Sequence, residues 1–203
     1  MRTGPSCEGA PAAAEPIVSG PIPVDPAQRP RRNVECKALD PDPDRSLEVC
    51  QQIGAADHGE IWQQDTYFNV ANGGLKLREE RPGRPHLIQF ERANEPQQRE
   101  SRYRIIEVED GPMLSAALAA AIGVRVVVAK RRRLFLWRDV RIHLDNVERL
   151  GRFIELEAVA PPDSDLAREH QLIAELRDAL AIADERLVAV GYAEQLRAKG
   201  VAA

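Results

Sequence analysis

In several strand-like stretches of this 203-residue chain, the charged residues all fall on one parity. Asn33, Glu35 and Lys37 alternate, as do Lys76 and Arg78, Arg102 and Arg104, Lys130 and Arg132, then Arg141, His143 and Asp145, then Glu155 and Glu157. Residues two apart in a strand share a face. The opposite parity is often apolar: Val34, Leu75 and Leu77, Ile142 and Leu144, Ile154 and Leu156. An ordinary half-buried strand turns its apolar face to the core and its charges to water. Six strands with acids and bases in register predict something else: the charged faces converge on a hydrated interior. Like-signed bases packed together need a counter-charge, so that interior would hold an anion with its metal ions.

The formal net charge of −4 argues against a general binder of nucleic acid polymers, which usually carries a basic excess. The bases therefore matter by position. Cys7, Cys36 and Cys50 form neither a metal-ligand spacing nor an even disulfide framework, which points to a reducing, cytoplasmic setting. No apolar run is long enough for a membrane-spanning helix, and no secretory h-region is expected.

Residues 1–30 hold seven of the 15 prolines and little periodicity, and are expected to form a disordered Pro/Ala-rich tail before a folded domain over 31–203. Strands are predicted near 32–39, 61–70, 74–80, 86–92, 102–108, 124–137, 140–147 and 152–159. The turn signals between them include Asn72-Gly73-Gly74 and Arg81-Pro82-Gly83. Helices are predicted at 45–54, at 112–122, from Asp163 or Ser164 to about 182, and over 185–198. The fold class is α+β: an eight-stranded, mostly antiparallel, closed or nearly closed barrel with helices packed outside.

Among the acids, Glu155 and Glu157 share a strand face, Asp145 has matching parity on the preceding strand, and Glu35 lies on the first. Carboxylate oxygens suit Mg²⁺ and Mn²⁺. The alternative for Glu155 and Glu157 is a solvated face bridged to arginines. Lys37, Lys76, Arg78, Arg102, Arg104, Lys130, Arg132 and Arg141 are all expected to point inward, where guanidinium forks and ammonium groups match phosphate oxygens. Alternatively, the run Lys130–Arg133 is a basic surface patch. His143 is either a general base or a hydrogen-bonded wall residue. Tyr192 either closes one tunnel mouth or packs with Leu187 and Leu196. Trp62 and Trp137 are read as outer-face packing, and Cys36 as buried beneath a helix.

Together these positions resemble the CYTH, or triphosphate tunnel metalloenzyme, family, which opens with a Glu-x-Glu-x-Lys strand. Here that strand reads Asn33-Val34-Glu35-Cys36-Lys37. The resemblance continues through Asp65-Thr66-Tyr67-Phe68, Leu75-Lys76-Leu77-Arg78, Glu100-Ser101-Arg102-Tyr103, Lys130-Arg131-Arg132, Arg141-Ile142-His143-Leu144-Asp145 and Phe153-Ile154-Glu155-Leu156-Glu157. It spans about 32–198 and is closest in look to bacterial class IV adenylyl cyclase-like proteins. It implies an eight-stranded triphosphate tunnel, with Glu35, Asp145, Glu155 and Glu157 at metal-site positions. Lys37, Lys76, Arg78, Arg102, Lys130 and Arg132 match phosphate-binding positions. Glu35, Lys37, Asp145 and Glu157 are the expected catalytic set, with Mg²⁺ or Mn²⁺ as cofactor. The expected substrate contains a triphosphate: ATP, thiamine triphosphate or tripolyphosphate. Neither a nucleic acid polymer nor a membrane is an expected partner, and a homodimer is compatible. Asn33 replaces a glutamate, so a second metal is expected to bind more weakly, and Arg92 stands near a lysine position of many relatives. The class IV resemblance tilts the expected activity to a cyclase that converts ATP to cyclic AMP and pyrophosphate, with an organic or inorganic triphosphatase and a non-catalytic phosphate-ligand binder as the alternatives.

Overall fold

A computed structural model describes residues 30–92 and 98–201. The proposed tail, and Cys7 within it, lie outside the described residues, apart from Pro30. The elements run β1 (Arg31–Leu39), α1 (Pro43–Gln52), β2 (Ala56–Phe68), β3 (Gly74–Arg81), β4 (His86–Arg92), β5 (Arg99–Glu107), α2 (Gly111–Ile122), β6 (Val124–Trp137), β7 (Val140–Val147), β8 (Gly151–Ala160), α3 (Ala167–Ala179), a 3₁₀ turn (Asp184–Arg186) and α4 (Tyr192–Ala198). All eight strands pair antiparallel into a closed barrel in the order β1-β5-β4-β3-β2-β6-β7-β8. Closure leaves no strand edge unpaired.

On β1, β7 and β8 the apolar parity faces outward and is covered. Val34, Cys36 and Ala38 of β1, Ile142 of β7 and Ile154, Leu156 and Ala158 of β8 form one core with Val49 and Cys50 of α1 and Leu172, Ile173 and Leu176 of α3. Cys36 and Cys50 are free and buried there. Trp137 packs against this core, and Trp62 lies under the Arg81 guanidinium, 4.6 Å from its ring centre. Asp42 caps α1 by accepting from the Arg45 amide, and Asp110 caps α2 by accepting from Met113.

A second core sits inside the barrel at one end. Tyr67, Val126, Val128, Val147 and Phe153 meet Tyr192, Ala193 and Leu196 of α4, so the last helix closes that end. The predicted helix over 185–198 is therefore split. Leu187 is extended instead and bridges to Ala38, and the Val188 amide donates to the Lys37 carbonyl at 2.9 Å. No helix among the described residues is long and apolar enough to cross a membrane.

Candidate functional site: a charged cavity inside the barrel

The inward parity surrounds a cavity of about 110 Å³. Of the residues singled out from the sequence, Glu35, Lys37, Lys76, Arg78, Lys130, Arg141, Glu155 and Glu157 line it. Arg132 and Asp145 are buried beside them. The pleat explains this convergence. Register pairing sets Glu35 opposite Glu157 and Lys37 opposite Glu155 across β1 and β8, His143 opposite Glu155 across β7 and β8, and Arg132 opposite Asp145 across β6 and β7. The surface-patch alternative for the run at 130–133 holds only for Arg131 and Arg133, which pair outside with Glu60 and Asp57.

Arg102 and Arg104 do not converge with the others. β5 starts at Arg99, and its inward residues are Arg99, Ser101, Tyr103 and Ile105. Arg102 is exposed and pairs with Glu100, while Arg104 donates to Gln89. Among the described residues, the outer face of β5 is open to solvent at Ile106, which is 57% exposed. Its outer face is therefore wetted, and charge on this strand marks the outside.

Inside, Glu35, Asp65, Asp145 and Glu155 are held by bases. Asp65 accepts from Arg78 Nε at 2.8 Å, Arg78 Nη2 at 2.9 Å and Lys76 Nζ at 2.8 Å. Burial opposes its ionisation, but the Arg78 and Lys76 charges outweigh that and hold it well below the usual carboxylate range. Desolvation and the Arg78 charge push Lys76 down to about 7, against the pull of Asp65. Desolvation and Arg132 push Lys130 down to about 8. Glu35 accepts from Arg99 at 2.7 Å and from Arg92 at 3.4 Å. Lys37 bonds Glu155 and sits 3.9 Å from the centre of the Tyr192 ring, whose hydroxyl donates to Asp145 at 2.9 Å. Tyr192 thus lines the cavity as well as packing with Leu196.

The sequence reading expected Asp145 with Glu155 and Glu157. The structure groups those two glutamates with His143 instead, each offering a ligand atom within 4.8 Å of the others. Asp145 is bound by Arg132, Lys130 and Tyr192 outside that group, while Glu155 within it is also held by Lys37 and Arg132. The buried Nδ1 of His143 and the buried amide oxygen of Asn33 have no hydrogen-bond partner. Two carboxylates and an imidazole nitrogen form a donor set that fits a divalent cation. Burial and the Arg132 charge lower the His143 pKa, which keeps a ring nitrogen available.

Asp65, Arg99, Tyr67 and Tyr103 were not assigned to the site from sequence. Asp65 and Tyr67 share the parity of Gln63 on β2, a signal obscured by the polar residues on both faces of that strand. Arg99 could be found only from the register of β5.

Among curated proteins, no sequence matches this chain. Solved structures do match. The PH1012 protein of Pyrococcus horikoshii is 22% identical with a TM-score of 0.71, over 80% of this chain and 98% of its own. A candidate adenylate cyclase of Vibrio parahaemolyticus is 20% identical with a TM-score of 0.68, over 81% and 97%. A candidate adenylyl cyclase of Hippeastrum, described as having a dominant triphosphatase activity, is 11% identical with a TM-score of 0.58, over 85% and 97%. These likenesses establish a shared fold. The CYTH domain matches residues 31–192, from the first barrel strand to the first residue of α4. With that span matched and the charges enclosed by eight closed strands, the chain belongs to the CYTH domain family.

Proposed function

We propose that this protein is a divalent-metal-dependent enzyme that holds a triphosphate inside the barrel and breaks one of its phosphoanhydride bonds. The observation that carries this reading is the cavity lining, where six bases face four carboxylates. Two of those bases, Lys76 and Lys130, are depressed by burial and by neighbouring arginines, and so gain from a bound polyanion. Lys37, Lys76, Arg78, Lys130 and Arg132 would hold non-bridging oxygens. Glu155 and Glu157, with His143 and Glu35, would hold Mg²⁺ or Mn²⁺, which when bound neutralises phosphate charge and polarises the P–O bond. A pure anion binder gains nothing from those carboxylates, which counts against a non-catalytic role.

Two reactions suit such a site. In the cyclase form, the ribose 3′-hydroxyl of ATP attacks the α-phosphorus, giving cyclic AMP and pyrophosphate. In the triphosphatase form, water attacks the γ-phosphorus, giving a diphosphate and phosphate. Incubation with ATP and tripolyphosphate in Mg²⁺ and in Mn²⁺, with cyclic nucleotide, pyrophosphate and phosphate quantified separately, tests the proposal. Metal-dependent release of any of these products supports it. If ligand binds with no product in either metal, the protein is a binder.

A further inference from the structure

The cavity wall formed by β4 and β5 differs from the rest. Ile88 stands directly opposite Ile105, and Phe90 directly opposite Tyr103, and all four line the cavity. The remainder of the lining is mostly charged. Phosphate oxygens need donors, so a bare polyphosphate gains nothing from four apolar faces. The Phe90 ring is held in place. It lies over Gly74, where a Cβ would come within 2.2 Å of its Cζ, and it meets Tyr67 edge-on at a centroid distance of 6.3 Å. Ile105 keeps 40% of its surface exposed although it is on the inward parity.

Two polar atoms on this side are buried without hydrogen-bond partners. They are the Asn33 amide oxygen and the Tyr103 hydroxyl, whose Arg141 neighbour can only donate to it, so that the hydroxyl's own proton has no acceptor. Asn33 pairs with Ser101 on β5, two residues before Tyr103. A buried polar atom with no partner is costly unless something arrives to satisfy it. Apolar and aromatic faces beside a few unsatisfied polar groups are what a flat, uncharged, hydrogen-bonding ring requires. A cationic ring would lose its hydration against this apolar wall beside the Arg141 guanidinium, which disfavours it.

Resting on the triphosphate reading above, we infer that the β4–β5 wall selects a nucleoside triphosphate over inorganic tripolyphosphate and over a triphosphate bearing a cationic ring. Tyr103 is the specificity-determining residue: the apolar faces of Ile88, Phe90 and Ile105 cover the base, and the Tyr103 hydroxyl donates to a heteroatom at its edge. The preference holds whichever phosphorus is attacked.

The full-length protein, Tyr103→Phe and Ile105→Ser are compared on ATP, thiamine triphosphate and tripolyphosphate, with Mg²⁺ and with Mn²⁺. Ile105 is at a partly exposed position, so its variant tests the wall even if Tyr103→Phe fails to fold. The expected kcat/KM for ATP exceeds that for either other substrate by about tenfold or more, and each substitution lowers the ATP-to-tripolyphosphate ratio by about fivefold, chiefly through KM. An equal loss on both substrates would make the wall structural and overturn the inference. Preference for tripolyphosphate or thiamine triphosphate would also overturn it while leaving the triphosphate reading intact. If none of the three is turned over or shifts the Tm, both readings fall.

Discussion

Arg132 holds Asp145 by both carboxylate oxygens, Nε to Oδ1 at 2.6 Å and Nη2 to Oδ2 at 2.7 Å, and the same Nη2 reaches Glu155 Oε2 at 2.6 Å. One guanidinium thereby ties β6, β7 and β8 together inside the barrel, while its charge faces the space assigned to the triphosphate.

Arg132→Ala should therefore affect both stability and catalysis. Leaving two buried carboxylates without their partner costs about 3–5 kcal/mol. At this chain length that corresponds to a fall in Tm of about 6–20 °C. Turnover of every triphosphate should fall together, and Arg132→Lys should recover part of the stability without the two-point fork. Thermal unfolding paired with steady-state kinetics checks this. Wild-type kcat/KM in a folded Arg132→Ala variant would remove Arg132 from the site.

Glu157→Gln should separate metal binding from folding. The amide keeps an oxygen but loses the charge, and it relieves repulsion with Glu155. The Mg²⁺ concentration for half-maximal turnover should rise about tenfold or more, while the Tm moves by less than about 3 °C. An unaltered Mg²⁺ requirement would show that Glu157 does not face the ion.

Lys76 should make polyphosphate binding take up a proton. At pH 8, above its folded value of about 7, the amine is largely neutral. A bound phosphate favours the ammonium, so binding draws a proton from buffer, and this uptake fades well below pH 7, where Lys76 is already charged. Calorimetry with tripolyphosphate in two buffers of different ionisation enthalpy measures it, and Lys76→Met should remove part of it. In the free protein the unfolded chain binds the extra proton between about 7 and 10.5, so this residue makes stability rise with pH across that window. A binding enthalpy independent of buffer at pH 8 would contradict the assignment.

Gly191→Ala should reach the site through Arg92. The backbone there is extended, with φ −70°, so alanine is not strained. Its Cβ, however, would stand 2.1 Å from Arg92 Nη2 and 2.6 Å from Glu194 Oε2. Both atoms end flexible side chains, so the fold gives way by moving Arg92 from its place beside Glu35. The Tm should stay within about 3 °C of wild type and kcat/KM should fall about fivefold or more. Unchanged kinetics would mean that Arg92 plays no part.

Much of the barrel was legible in the chain. β4, β6 and β7 fall at the predicted bounds, because turn residues flank them and two opposed faces repeat with period two. Glu35, Lys37, Lys76, Arg78, Lys130, Arg132 and Glu155 point inward as their alternation implies. The same rule misplaced Arg102 and Arg104, because it assumes an outer face covered by helices, and β5 has a wetted one. Tyr192 was ambiguous because a tyrosine on a short helix packs and hydrogen-bonds equally well, and only its neighbours decide which.

The sequence by itself determined which side chains share a face, because parity follows from the local pleat of each strand and needs no knowledge of its neighbours. Only the tertiary structure decided which acid meets which base. Lys37 meets Glu155 and Arg99 meets Glu35 because the barrel closes β1 against both β8 and β5, joining residues 118 and 64 positions apart. Closure also fixed the axial level of each residue. That is why His143, rather than Asp145, stands with Glu155 and Glu157, and why α4 fills one end of the barrel. Strand order, register and tilt are properties of the whole sheet, and no single strand encodes them.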